Sequence, residues 1–287
     1  MKFCLVVANS SFLFFKELIE ALQSHLVSFG HSVEVLNYIP EVPFSVVWVI
    51  GPHNFSKFER KPKTKYIALQ TEQLPQKGFI SQNFQSQNYN HLKNLLPLYD
   101  YIFDVHEGNT FFLQKQGFNK VSFFPIGYDS HFDFYKNSSP TKKIYDIAFF
   151  GYLSPRREAL LTKLGFKYNV CPATSAFGEE RNNLILQTKI CLSFHVEALD
   201  FFERMRIELL YLSNNCFVIS ENTTYHTPYI SSKHLIFSPY QSIEATIGYY
   251  LKNPFQCQKI ANNAYNFIKE NYVFQRNLQK SLQAIGI

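Results

Sequence analysis

The chain has 287 residues, 46% of them apolar and 17% charged, and carries a formal net charge of +6. That length exceeds one ordinary core and favours two domains of about 140 residues each, while the apolar content excludes a disordered chain. No apolar run, Val46 to Ile50 included, nears the roughly 18 residues that crossing a bilayer requires.

Phe3 to Ala8 reads as a first core strand and is too short for a signal peptide. Phe15, Ile19, Leu22, Leu26 and Phe29 then recur at helical spacing, and Gly30 stands at the C-cap. Strands are expected at Ser32 to Leu36, Ser45 to Ile50, Tyr66 to Leu69, Tyr101 to Asp104 and Val121 to Phe124, with a helix from Asn109 to Gln116. The run Arg60 to Lys65 interrupts them as a solvated basic loop. From His131 to Lys143 the chain is polar, aperiodic and proline-bearing, which reads as an interdomain linker. The alternation restarts with strands at Asp146 to Phe150, Phe166 to Val170, Ile190 to Phe194, Cys216 to Ser220 and Leu235 to Phe237, and with helices beginning near Pro155, Glu179, Phe202, Ser242 and Phe255. Such alternation builds parallel sheets covered by helices. The expectation is an α/β protein with two Rossmann-like domains, 1–135 and 136–265, followed by a last helical segment, 266–287. Two such halves place a cleft between them, and functional residues should follow strand ends.

Five cysteines, Cys4, Cys171, Cys191, Cys216 and Cys257, are odd in number and never spaced as CxxC. They suggest a reducing cytosol, hence a cytoplasmic protein, and neither a disulfide framework nor a zinc site. Asp-x-Asp, HExxH, Gly-x-Ser-x-Gly and Walker A patterns do not occur, and glycine is sparse.

Two stretches carry chemistry. In Phe150 to Leu161, Ser154 suits an N-cap and Pro155 the first helical position, so Arg156 and Arg157 fall in a first turn where the helix dipole disfavours cations. Either a bound anion such as a diphosphate compensates them, or they are an exposed pair helped by Glu158. In the second stretch, Ile190 to His195 leads to a helix in which Met205, Leu209 and Leu212 form an apolar row flanked by Arg206 and Glu208. Arg206 with Glu203 or Glu208 makes an internal ion pair, or these side chains are ligands, an arginine for phosphate and a glutamate for sugar hydroxyls.

These segments resemble the C-terminal half of GT-B glycosyltransferases of the group-1 type. A strand followed by Gly and an Arg-bearing helix start is matched by Phe150-Gly151 through Arg157, and a strand ending near His, a Glu-x-x-Arg-x-x-Glu-like helix and a strand ending Ile-Ser-Glu by His195, Glu203, Arg206, Glu208 and Glu221. The resemblance covers most of residues 145 to 222. Asp200 and Glu208 imitate the spacing of the family's Glu-x7-Glu motif, with Asp for the first acid, and Asn214-Asn215 replaces a customary Gly. Pro125 to Asp129 is similar to the Gly-x-Asp exit from the first domain, and Tyr66 to Leu74 to a strand and turn of the same group.

What the resemblance implies is the GT-B fold, with 1–135 as the acceptor side, 136–265 binding a nucleotide-sugar, and a C-terminal helix within Cys257 to Ala284 crossing back to the first domain. It implies transfer of a sugar from a nucleoside-diphosphate sugar, a substrate and not a cofactor, to a hydroxyl of a glycan, a lipid-linked glycan or a small molecule. The donor set is Gly151, Arg156, Arg157, His195, Glu203, Arg206, Glu208 and Glu221, with Glu208 near the ribose and the arginines near the diphosphate. Arginines and helix N-termini take the place of a metal. Position after strands nominates Glu72, His106 and His53, in that order, as the base, beside Asp104 and Glu107. The alternatives are a transferase acting on a hydroxymethylated base in DNA, with Arg60 to Lys65 and Lys142-Lys143 gripping phosphates, and a nucleotide-sugar binding module without turnover.

Overall fold

The computed structural model describes residues 1–74, 84–139, 141–172, 174–196 and 201–287, and of residues 84–88 only the backbone. The chain divides into two compact units, Met1–Pro125 with Asn277–Ile287, and Ile126–Arg276. The division falls at 125/126 and not at 135/136, because the segment after Pro125 is bonded inside the second unit. Gly127 N–H donates to Glu208, Tyr128 N–H to the Tyr272 carbonyl, and Phe274 N–H to the Tyr128 carbonyl. The expected linker is likewise folded into that unit. Phe132 is buried with its ring 5.7 Å from that of Phe274, and Asp133 accepts from the hydroxyls of Tyr128 and Tyr265.

The first unit runs β1 (Lys2–Val7), α1 (Asn9–Ser28), β2 (Ser32–Leu36), β3 (Val46–Ile50), β4 (Lys65–Gln70), α2 (Phe84–Leu95), β5 (Tyr101–Asp104), α3 (Glu107–Lys115) and β6 (Val121–Phe123). Its six strands are all parallel, in the order β2-β1-β3-β4-β5-β6. β3 is buried at every position, as a strand covered on both faces must be. Cys4, Val6, Val47, Val49 and Ala68 pack with Leu92, Leu95 and Leu113 of the helices. The alternate positions carry Trp48 and Phe103, whose rings meet each other and Phe124 at 5.5–5.9 Å. α1 buries the Phe15, Ile19, Leu22 and Leu26 row and ends at Gly30, whose φ of +85° suits glycine. Parallel strands deliver all their carboxyl ends to one edge, so the segments after β3, β4 and β5 emerge together.

The second unit runs β7 (Tyr145–Ala148), α4 (Pro155–Gly165), α5 (Gly178–Leu186), β8 (Thr188–Ser193), a π-helical segment (Met205–Tyr211), β9 (Val218–Glu221), β10 (Ile236–Ser238), α6 (Ile243–Leu251) and α7 (Pro254–Asn271). The strands are parallel in the order β10-β9-β8-β7. One face packs Ile147, Ile190, Leu192 and Ile219 against Leu160 and Leu164 of α4 and Ile243 and Ile247 of α6. The other packs Ala148, Cys191 and Val218 against Ile185 of α5 and Ile207 and Tyr211 of the π-helical segment. The strand expected at Phe166 to Val170 shrinks to one bridge between Val170 and Ile147. Lys167 and Tyr168 instead turn their N–H groups back to the Leu164 carbonyl at the end of α4, leaving Phe166 exposed. The last helical stretch is two helices, α7 and α8 (Phe274–Ala284), interrupted where Val273 bridges Tyr128. From Asn277 onward the chain clusters with the first unit, where Lys65 Nζ donates to the Ile285 carbonyl at 2.7 Å. Two parallel α/β units thus realise the Rossmann-like class read from the sequence.

Candidate functional site

In the second unit, Gly151 follows β7, His195 follows β8, Glu221 closes β9 and Tyr240 follows β10. Their neighbours at this edge are the first turn of α4 and the segment Glu203 to Arg206. Ser154 caps α4, its Oγ accepting from Arg157 N–H at 3.4 Å and donating to the Val196 carbonyl at 2.7 Å. The cap and Pro155 hold as expected from the sequence, and Arg156 and Arg157 do occupy the first turn.

What compensates these arginines is protein. Arg156 makes a bidentate pair with Glu221 at 2.9 and 2.5 Å, donates to the His195 carbonyl at 3.0 Å and stacks 3.8 Å from the Tyr240 ring centroid. Tyr240 returns a hydrogen bond from its hydroxyl to the Arg156 carbonyl. Arg157, only 2% exposed, donates to the carbonyls of Phe194 and Tyr152 and to Glu203 at 2.9–3.0 Å. Burial, with Arg206 nearby, brings its guanidinium down to about 10, still charged at neutral pH. Neither arginine pairs with Glu158, and both brace the loops at the edge.

Arg206 differs. Its Nε donates to the Phe150 carbonyl at 2.6 Å and its guanidinium lies over the Phe149 ring at 4.6 Å. Glu203 approaches Nη1 only to 3.6 Å, and Nη1 is buried without a hydrogen-bond partner. A guanidinium nitrogen in that condition is costly unless a ligand meets it. Gly151 is what lets it lie there, because a Cβ on Gly151 would stand 2.5 Å from Nη2. His195 offers the complementary atom. Its N–H donates to Glu221 and its Nε2 contacts the Asn222 carbonyl at 3.0 Å, so the proton is assigned to Nε2 and the buried Nδ1 is left with a bare lone pair.

Glu208 does not join this edge. It is 0% exposed, Oε1 accepting from Arg204 Nη1 at 2.6 Å and Oε2 from Gly127 N–H at 2.8 Å. Arg204, itself 1% exposed, also donates to the Thr227 carbonyl at 2.7 Å. Both carboxylate oxygens are therefore engaged within the core, where the sequence reading expected a ribose ligand. Asp200, the other acid of the imitated motif, lies outside the described residues. The sequence reading missed Arg204 and Tyr240. The i, i+4 spacing of Arg204 and Glu208 was an available signal for the first; nothing local marks Tyr240.

In the first unit the three base candidates gather at the carboxyl edge of β3, β4 and β5. His53 Nε2 stands 3.4 Å from Glu72 Oε1, with the side chains 12% and 30% exposed. Burial, with His91 adding to it, holds the His53 imidazole down to about 4, so it meets Glu72 as a neutral ring at pH 7. His106 is buried at the N-cap of α3, its N–H donating to Asp104 Oδ1 at 2.8 Å. Of the three, Glu72 is the carboxylate and the most exposed. The basic loop is partly tied down: Arg60 Nη2 donates to both carboxylate oxygens of Asp100 at 2.6 and 2.7 Å, and Lys65 reaches Ile285.

No protein-family model matches the sequence. Over 126 residues the chain is 35% identical to an uncharacterized protein of Acanthamoeba polyphaga mimivirus, a stretch covering 42% of this chain and 40% of that protein. Less than half of that relative is therefore spanned. Among solved structures, the protein is similar to HepE of Anabaena in complex with UDP and glucose, with a TM-score of 0.66, 10% identity and 99% of each chain covered. It is similar to an alpha-glucosyltransferase in complex with UDP and a 13-mer DNA containing an HMU base, with a TM-score of 0.66, 10% identity and 100% of each chain covered. Sucrose-phosphate synthase of Thermosynechococcus elongatus aligns with a TM-score of 0.62 at 11% identity, covering 99% of this chain and 98% of that one. At such identities these likenesses show the fold, and it is the GT-B fold that the sequence resemblance implied.

Proposed function

We propose that this protein is a glycosyltransferase that moves a sugar from a nucleoside-diphosphate sugar, held by the second unit, to an acceptor hydroxyl. The observation that carries this reading is Arg206, whose Nη2 lies against Gly151 and whose buried Nη1 has no hydrogen-bond partner and meets Glu203 only at 3.6 Å, at the strand edge where a GT-B fold takes its donor. The diphosphate is its ligand, and the charge that develops on that leaving group as the glycosidic bond breaks is met by Arg206. The bare Nδ1 of His195 accepts a donor hydroxyl, while Glu208 stays held by Arg204 and Gly127. Arg156, Arg157, Glu203 and Glu221 fix the geometry of these two groups. On the acceptor side Glu72 takes the hydroxyl proton, and the neutral His53 orients it.

Arginine in place of a metal is part of the proposal, and among the described residues no three His, Cys, Asp or Glu side chains gather into a metal-ligating group. So is a cytoplasmic setting, argued from the odd number and wide spacing of the five cysteines in the sequence. Among the described residues no helix is long and apolar enough to cross a membrane. A DNA acceptor is the second reading, favoured by the full-length likeness to a transferase crystallised with DNA; the engagement of Arg60 and Lys65 weighs against a phosphate grip by that loop.

The test is a thermal-shift panel of UDP-, GDP-, ADP-, TDP- and CMP-sugars followed by a turnover assay on the stabilising donor. One donor raising Tm and releasing its nucleotide in the presence of a glycan or small-molecule acceptor supports the reading. Release only with hydroxymethylated DNA selects the second reading, binding without turnover makes the protein a binding module, and no stabilisation by any donor refutes the assignment.

A further inference from the structure

We infer that Asp104 is a positioning residue that aims Glu72 by clamping the exit of β4 onto the exit of β5, without itself touching substrate. The inference rests on the reading of Glu72 as the proton acceptor, but its geometry stands apart from that reading. Asp104 is 0% exposed and acts throughout as an acceptor. Oδ2 accepts from Gln70 Nε2 at 2.9 Å, and Oδ1 from His106 N–H at 2.8 Å and Asn109 Nδ2 at 3.2 Å.

The two amides pass this grip to Glu72. Gln70 Oε1 accepts Glu72 N–H at 2.5 Å, and Gln70 Nε2 donates to the Glu72 carbonyl at 2.8 Å. Asn109 Nδ2 donates to the same carbonyl at 2.8 Å, and Asn109 Oδ1 accepts Leu74 N–H at 3.2 Å. Both peptide groups of Glu72 are thus held by side chains whose own orientation is set by one carboxylate. Backbone bonds complete the clamp, Val105 N–H to the Gln70 carbonyl and Phe124 N–H to the Asp104 carbonyl. Burying a carboxyl group is costly: burial raises the Asp104 pKa, and the three donors that favour its charged form pull against that rise. An apolar residue here would leave three buried N–H donors without an acceptor. What a carboxylate adds is an acceptor for three N–H groups at once, which an amide cannot be: Asn at position 104 would turn an NH2 toward at least one donor and force Gln70 or Asn109 to flip.

The experiment uses the full chain and needs no known substrate for its first arm. The His53 imidazole, 3.4 Å from Glu72, reports the position of that carboxylate by NMR. In Glu72→Gln its ring resonances shift; in Asp104→Asn, and in Asn109→Ala, which spares Asp104, they are expected to shift likewise while UDP affinity and far-UV CD stay as in the wild type. His53 resonances unchanged in both clamp variants, with Glu72→Gln shifted, overturn the inference. The second arm is turnover with whichever sugar nucleotide the thermal-shift panel selects: the clamp variants are expected to lower kcat at least tenfold with KM for the donor unchanged. A raised KM alone, at wild-type kcat, overturns it as well. If Glu72→Gln keeps full kcat, the assignment of Glu72 as base fails, and the NMR arm still decides whether Asp104 positions it.

Discussion

Gly151→Ala separates a binding role of the second-unit edge from a purely structural one. The added Cβ would stand 2.5 Å from Arg206 Nη2, 3.3 Å from Cζ and 3.4 Å from Nε. Arg206 cannot swing aside freely, since its Nε is bonded to the Phe150 carbonyl at 2.6 Å and its guanidinium rests on Phe149. The guanidinium must therefore leave the position from which Nη1 meets the diphosphate. Losing a charged hydrogen bond costs about 1.5–3 kcal/mol, or roughly 10- to 150-fold in Kd for UDP. Independently, φ at Gly151 is +145°, where a side chain costs about 1–3 kcal/mol of stability and each kcal/mol lowers Tm by about 2–4 °C. Calorimetric titration with UDP and a thermal melt read the two effects apart. In an Arg206→Ala background the substitution should cost stability and no further affinity. A lowered Tm with unchanged Kd in the wild-type background would refute the reasoning.

Arg157→Ala should act on the fold: it strips Glu203 and two carbonyls of a buried partner and is expected to cost about 3–5 kcal/mol in urea unfolding. Loss of UDP affinity at full stability would contradict that assignment. Glu208→Gln leaves the Arg204 guanidinium buried without its counter-charge, and a similar loss of about 3–5 kcal/mol is expected; a ribose ligand would instead lose affinity and keep its Tm. His53 gives a pH signature. Its folded value of about 4 lies below the usual 6.5, so the unfolded chain binds the proton more readily, and stability present above pH 6.5 is lost as pH falls to 4. The loss is at most about 3 kcal/mol, and melts of His53→Asn over the same range should be flatter than wild type; parallel curves would show that His53 is not buried as a neutral ring.

Parallel sheets were legible because their strands are short, β-branched and buried on both faces, so β1, β3, β4 and β8 stand out as apolar runs. The α4 start was legible too, because Ser154 and Pro155 act through local geometry. The partners of Arg156 were not: Glu221 reaches it from the end of β9, and only the parallel register brings the two strand ends together. Glu208 shows the same limit. Its sequence setting fits a ligand, yet Gly127, which precedes the second sheet altogether, supplies the N–H that takes its free oxygen. α2 escaped notice because Asn90, His91, Lys93 and Asn94 surround its buried Leu92 and Leu95, leaving little apolar period to read. Phe166 to Val170 looked like a strand by composition, but the end of α4 claims its first N–H groups.

The most direct measurement of the central claim is a crystal structure with UDP bound. A phosphate oxygen is expected within about 3 Å of Arg206 Nη1, lying against Gly151, with Glu208 still held by Arg204 and Gly127. UDP seated elsewhere, with Nη1 of Arg206 still facing Glu203 and no ligand atom near Gly151, would contradict it.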